Sequence, residues 1–307
     1  MRVLLATLAA SVMCAAAPSW AGYSKGGAFR TPGYGARAWG MGGAATVTVD
    51  DEGAVSWNPA MLSQLHGSAA GASYVNLVAG ATARQSQVAY ARVLQGSEAG
   101  ESGAVVARHA VGAMYTNLHL GLSGGDGYDE NLLRLAYAYS PDYFVTFAIA
   151  GDFFVSTSDV SGFDAGGSSV DFAVRFMLTA RVNVGVVARN AFSRYSYEDG
   201  VDFSRERAFV FAAGSDAIPY ARVEGDVVFE HGDVGRVIGG FETDYLFDVL
   251  CLRAGAATIA SGETRGVPYF GFGLRGGERL RIDYNANIDD DKAFEDTHRF
   301  SLSVAIR

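Results

Sequence analysis

The sequence predicts an all-β fold, a 14-stranded antiparallel transmembrane β-barrel. Three observations predict it: an export signal at the N-terminus, a two-residue period of apolar and polar side chains from about residue 67 onward, and segments of that period too long for a soluble sandwich. Composition agrees. Of 307 residues, 49% are apolar, 12% aromatic and 19% charged, too apolar a mixture for a disordered chain. A net charge of -9 argues against a nucleic-acid partner, which needs a basic face. Two cysteines, Cys14 and Cys251, cannot build a disulfide framework or a four-ligand zinc site.

Residues 1–21 read as a secretory signal peptide. Arg2 gives an early positive charge, Val3 to Ala17 a small-apolar run, and Ser19 and Ala21 the small residues expected before cleavage ahead of Gly22. Pro18 ends the run short of the ~18–20 residues of a helical anchor. No later run is long enough to cross a bilayer as a helix. An exported chain of this kind is either soluble or a closed barrel in the outer membrane.

Residues 66–307 form the barrel. Fourteen segments alternate, near 67–78, 83–94, 103–117, 130–140, 143–155, 168–178, 182–192, 206–214, 220–230, 234–246, 249–260, 265–275, 278–288 and 297–306. In the thirteenth, Leu280, Ile282, Tyr284, Ala286 and Ile288 share one face, and Arg281, Asp283, Asn285 and Asn287 the other. Phe300, Leu302, Val304 and Ile306 repeat the pattern in the last. An even count returns both chain ends to one side. Connections sort by parity: tight turns such as Ser140-Pro141-Asp142 and Phe247-Asp248 follow even strands. Longer polar loops, Leu118 to Asp129 and Ser193 to Arg205 among them, follow odd ones, the exceptions being the short connections His231 to Asp233 and Ser261 to Thr264 and the long one from Gln95 to Ser102. The competing reading is a soluble sandwich, whose strands run ~5–6 residues. These segments instead match the ~9–11 residues that cross a membrane at a tilt.

Between Gly22 and Leu65 the period is absent and glycine is dense. The run from Gly35 through Arg37 to Gly40-Met41-Gly42-Gly43-Ala44, the acidic pair Asp50-Asp51, and Asn58-Pro59-Ala60-Met61-Leu62 resemble the N-terminal region of FadL-type outer-membrane barrels. The nearest likeness is to the shorter PorV/PorQ-like branch, with Met61 standing where that pattern has Gly. The resemblance implies a 14-stranded barrel whose residues 22–65 fold back into the lumen as a hatch. It places ligand or hatch contacts at Gly40, Met41, Gly42, Gly43, Trp57, Asn58, Pro59, Ala60, Met61 and Leu62. Glycines at 40, 42 and 43 permit close packing against a wall. Pro59 holds Asn58 extended, and the Asn58 side chain is suited to bond nearby backbone. Trp39, Met41, Val47, Val49, Val55, Trp57 and Leu62 are too apolar for an ordinary linker.

No catalytic residue, cofactor or metal is expected. Gly40-x-Gly42-x-x-Ala45 has the form of a dinucleotide fingerprint, but no apolar strand precedes it and no acid follows at the required distance. The five histidines, at 66, 109, 119, 231 and 298, lie in separate segments, and no GxSxG elbow is present. Asp289-Asp290-Asp291 with Glu295 and Asp296 read as a solvated acidic loop.

The inward faces carry both signs of charge, including Arg175, Arg222, Glu224, Asp226, Glu242, Arg281 and Asp283, which are expected to pair with one another and with the hatch. Such a lumen suits a plugged barrel better than an open greasy conduit. Two functional expectations follow from the resemblance. One is transport of small hydrophobic compounds across the outer membrane through a hatch-plugged lumen, with a wall gap at Gly112 or Pro268, residues that weaken a ladder. The other is a docking barrel that serves secretion-system proteins and transports nothing. In either case the first partner is outer-membrane lipid.

Overall fold

The computed structural model describes residues 33–307 apart from 78–82, 96–106, 122–126, 160–163, 199, 201, 231, 244–245, 262, 278, 288–296 and 307. The signal peptide, its cleavage point, residues 22–32 and the acidic loop 289–296 lie outside the described residues.

Alternation in the sequence becomes a wall. Its strands are β1 (Ser68–Asn76), β2 (Ala83–Gln95), β3 (Arg108–Gly121), β4 (Gly127–Ser140), β5 (Val145–Ser158), β6 (Ala165–Thr179) and β7 (Val182–Tyr197). The second half comprises β8 (Ala208–Ser215), β9 (Ala221–Glu230), β10 (Asp233–Thr243), β11 (Leu250–Ser261), β12 (Glu263–Gly276), β13 (Leu280–Asn287) and β14 (Thr297–Ile306). Every strand pairs antiparallel with its neighbours, and β14 pairs with β1, so the sheet closes on itself as a 14-stranded barrel. A two-residue strand, Asp202–Phe203, adds to the far end of β7. Closure leaves no unpaired edge, the condition for a sheet placed in hydrocarbon.

Side chains divide by parity. Leu133, Leu135, Tyr137, Phe147, Ile149 and Phe300 stand exposed on the outer surface, while Arg134, Asp152, Asp171 and Asp283, on the opposite parity, are buried inside. The outer apolar face has no second layer of protein over it among the described residues, so the sandwich reading is replaced by a single closed sheet.

Strand ends differ from expectation in both directions: β1 stops at Asn76, β5 starts at Val145 and β8 at Ala208, each two residues inside the expected span, while others run on. β3 runs on to Gly121 and β7 to Tyr197, so the loops expected at 118–129 and 193–205 are shorter. Ladder bonds join backbone groups and persist where side chains have turned polar. At the opposite end of the barrel, hereafter the turn end, Phe247 (φ 55°) and Asp248 (φ 60°) both take the left-handed conformation of a two-residue hairpin turn.

Residues 33–65 lie inside the ring, in its turn-end half. They contain α1 (Ala36–Gly40), α2 (Ala54–Trp57) and a 3-10 helix (Pro59–Gln64). All three are short, and their stability comes from burial against the wall rather than from helix propensity.

Candidate functional site

The inner segment is folded by its own polar side chains and by glycine. After α1 the chain reverses through Gly42 (φ 73°) and Gly43 (φ 91°), with the Gly43 amide donating to the Ala38 carbonyl at 3.0 Å. Side chains other than glycine rarely adopt that backbone. Asn58 is fully buried and works in two directions. Its Oδ1 accepts from the Ala60 amide at 2.9 Å, starting the 3-10 helix, and its Nδ2 donates to the Thr46 carbonyl at 2.8 Å. Pro59 occupies the first helical position, where a missing N–H costs nothing. Trp39 and Trp57 meet edge to face at 5.7 Å, Trp39 packs on Tyr269 at 5.9 Å, and the Arg299 guanidinium lies 4.4 Å above the Trp39 ring.

Against β9–β14 this segment is held by charge. Arg37 donates to Asp50 (2.5 Å), Asp51 (2.9 Å) and Glu242 (2.8 Å). Arg222 reaches Asp50 at 2.6 Å, and Arg253 bridges Glu242 (2.6 Å) and Asp283 (2.9 Å). Arg281 joins Asp51 (2.5 Å) and Asp283 (2.7 Å). Four guanidiniums thus interlock with four carboxylates. Glu52, 1% exposed, sits beside them and accepts from the Tyr34 hydroxyl (3.1 Å) and the Ser303 hydroxyl (2.8 Å). Burial, and next the charge of Asp51, push the Glu52 carboxyl up to about 7 against the pull of Arg281. Burial acts on Asp51 in the same sense, but Arg281 and Arg37 overcome it and hold that carboxyl below the usual range.

Glu224 and Asp226, two residues apart on β9, grip the next stretch. Glu224 accepts from the Thr46 and Val47 amides and, at 2.5 Å, from the Thr48 hydroxyl; Asp226 accepts from the Thr46 hydroxyl at 2.6 Å. The lumen charges Arg222, Glu224, Asp226, Glu242, Arg281 and Asp283 therefore all meet in or beside one seam between the inner segment and the wall. Arg175 stands apart, on the opposite arc of the wall.

On β2–β6 the contact is mostly apolar, with Arg134 Nε donating to the Val55 carbonyl at 2.8 Å. Val55, Ala60 and Leu62 pack on Ala91, Ala136, Ala148 and Ala173, and the 3-10 helix rests on β3–β6. Gly112 faces this seam: a Cβ there would overlap Val55 Cγ2. Its strand pairs in unbroken register with Ala91 on one side and Ala136 on the other, so the ladder continues through it. Pro268 pairs in register with Ala256, and its strand meets β13 only from Tyr269 onward among the described residues.

The ladder does break elsewhere. β7 pairs with β8 up to Arg189 and Ala208, then with the two-residue strand at Tyr195 and Phe203, leaving 190–194 and 204–207 unpaired between them. The register of β7 against β6 also shifts here, between Val170 and Phe172, and Asn190 has φ 52°. Side chains stand in for the missing ladder: Asn190 donates to the Glu206 carbonyl (2.8 Å), and the Arg205 amide to the Ser193 hydroxyl (2.7 Å). Just inside the break, Leu132, Phe154, Ala165 and Tyr195 form a second buried apolar cluster, with the Arg205 guanidinium 4.8 Å over Phe154.

Sequence reasoning did not single out Glu52, Thr46, Thr48, Arg205 or the aromatic cluster. A signal existed for the approach points: Gly185, Gly214, Gly240 and Gly255 all sit on the inward parity of strands, where glycine marks close approach of another backbone. A Cβ on Gly255 would overlap the Met41 carbonyl group.

Between the segment and the wall lies a cavity of about 20 Å³, bordered by Tyr34, Asp51, Glu52, Trp57, Arg281 and Ser301. It has room for a water or two. Among the described residues no group of three or more His, Cys, Asp or Glu is placed to hold a metal ion.

No family model matches this chain, and no curated protein does. Solved structures match over nearly its whole length. The toluene transporter TodX of Pseudomonas putida has a TM-score of 0.60 at 14% identity, covering 90% of this chain and 99% of that one. The monoaromatic hydrocarbon channel CymD gives 0.63 at 12%, covering 91% and 99%. A FadL homologue of Pseudomonas aeruginosa gives 0.59 at 8%, covering 93% and 99%. The fold is that of FadL-type barrels.

Proposed function

We propose that this chain is an outer-membrane channel for small hydrophobic compounds, with residues 22–65 as its hatch. The observation that carries the reading is the break between β7 and β8 beside the Phe154 and Tyr195 cluster. A hydrophobic solute entering from the loop end meets the buried apolar and aromatic cluster of Leu132, Phe154, Ala165 and Tyr195 above the hatch, and this cluster adjoins a stretch of wall where side chains replace the ladder. Insertion among these side chains removes apolar surface from water, and a lateral step through the break delivers the solute to lipid without crossing the ionic seam. The contacts Gly40 to Gly43 and Trp57 to Leu62 hold the floor of this route. The fold shared with TodX and CymD, described as a toluene transporter and a monoaromatic hydrocarbon channel, supports the substrate class. No feature of the geometry favours the docking reading.

The test is uptake. Cells that lack other hydrocarbon channels and express this chain should take up labelled toluene several-fold faster than the same cells without it. Equal rates for toluene and for a panel of larger hydrophobic compounds would reject the proposal.

A further inference from the structure

On the β3–β7 side of the turn-end mouth, one buried guanidinium has no ion-pair partner among the described residues. Arg175 is 2% exposed on the inward face of β6. Asn183 Oδ1 accepts from both its Nε (3.0 Å) and its Nη2 (2.6 Å), which fixes the guanidinium plane and turns the far edge away; Nη1 is buried and has no hydrogen-bond partner. Arg175 takes part in no ion pair among the described residues, in contrast to Arg37, Arg222, Arg253 and Arg281 across the lumen.

Strand register extends this into an arc. Arg175 lies opposite Thr146 on β5, and Arg108 lies opposite Ser140 on β4, so Arg175, Thr146, Ser140 and Arg108 follow one another around the inward face at one level. The hydroxyls are joined to each other at 2.9 Å, and Thr146 to Ser63 of the 3-10 helix at 3.0 Å. Arg108 Nη1 donates to the Ser63 carbonyl at 3.0 Å, while its Nε is also buried without a partner. Two guanidiniums with unused N–H groups thus flank a row of hydroxyls. An uncompensated buried charge is unfavourable, and an oxyanion is the group that satisfies a planar guanidinium edge.

We propose that this arc, centred on Arg175, is a binding site for a small carboxylate at the turn-end mouth. Few N–H groups are unused, which fits a singly charged, two-oxygen group better than phosphate. The site does not depend on hydrocarbon passage, since it lies below the hatch and away from the β7–β8 break.

The experiment is fluorine NMR of the full chain in detergent micelles, titrated with 4-fluorobenzoate, with 4-fluorotoluene as the uncharged counterpart and inorganic phosphate as competitor. Saturable fluorobenzoate binding is expected, weakened at least tenfold in R175M and several-fold in R175K, which keeps the charge but loses the fork held by Asn183. The K variant preserves the test if the M variant does not fold. Fluorobenzoate binding that is absent, or equal in the wild type and R175K, overturns the site. Phosphate displacing fluorobenzoate at equal concentration overturns its assignment to a carboxylate. Uptake of neutral toluene should be unchanged in R175K, so failure here is distinct from failure of the transport reading.

Discussion

The inner segment meets the wall along two seams that differ in kind. Toward β9–β14 it is fixed by interlocked ions, Arg37, Asp50 and Asp51 against Glu242, Arg222, Arg253 and Arg281. Toward β2–β6 it presents Val55, Ala60 and Leu62 to a floor of alanines. Ion pairs are directional and specify a single seating, although their net stabilisation is small because the charges must leave water. Apolar contact stabilises by area and tolerates sliding. The ionic seam therefore sets position, while the other seam adds apolar area and a few hydrogen bonds to the segment's backbone, Arg134 to the Val55 carbonyl (2.8 Å) and Arg108 to the Ser63 carbonyl (3.0 Å). The β7–β8 break lies beyond the apolar side.

The largest effect should come from breaking the approach that lets the ionic seam form. G255V drives a branched side chain into the Met41 backbone. The barrel should still form, but the segment should be unseated, giving a steady conductance in planar bilayers where the wild type is closed. A closed G255V channel would contradict the seam. Next is E242Q, which leaves Arg37 and Arg253 facing a neutral group; loss of one partner of a buried pair costs ~3–5 kcal/mol. It should lower the denaturant midpoint for exposure of Trp39 and Trp57, read by fluorescence, more than any truncation on the apolar side. L62A is that comparison: fully buried Leu62 loses its packing, at about 2–3 kcal/mol, the low end for such changes because the alanine floor is free to collapse.

The smallest effect is a slope. Glu52 is raised in the folded chain from 4.5 to about 7, so it binds a proton more tightly folded than unfolded. Its contribution is complete below pH 4.5 and is lost as pH rises through about 7. Seam stability should therefore decline between those values, and E52Q should flatten the decline. Asp51, held low, acts oppositely and matters only in acid. An unchanged slope in E52Q would remove Glu52 from the seam.

The wall was legible because one large aromatic or aliphatic side chain recurs at every second residue, as in Leu280, Ile282 and Tyr284, and lipid imposes that period directly. Strand ends were less so: Ser193 to Tyr197 look like loop in composition, yet their backbone stays in the ladder with β6. The ionic seam was legible only as a list of inward charges. That Arg37 meets Glu242, 205 positions away, follows from ring closure, which leaves no local trace. The β7–β8 break was hidden for the same reason, since nothing in residues 190–194 announces that their neighbour has moved away.

The proposed lateral route depends on the β7–β8 break opening. Ser193 and Arg205 face each other across it, two residues beyond the Tyr195–Phe203 pair, with the Arg205 amide donating to the Ser193 hydroxyl at 2.7 Å, so cysteines in their place are within reach of a disulfide. In the S193C/R205C double variant, with Cys251 replaced by alanine, toluene uptake should fall toward the level of cells without the protein on oxidation and recover on reduction. Equal uptake in the oxidised and reduced states would contradict the claim.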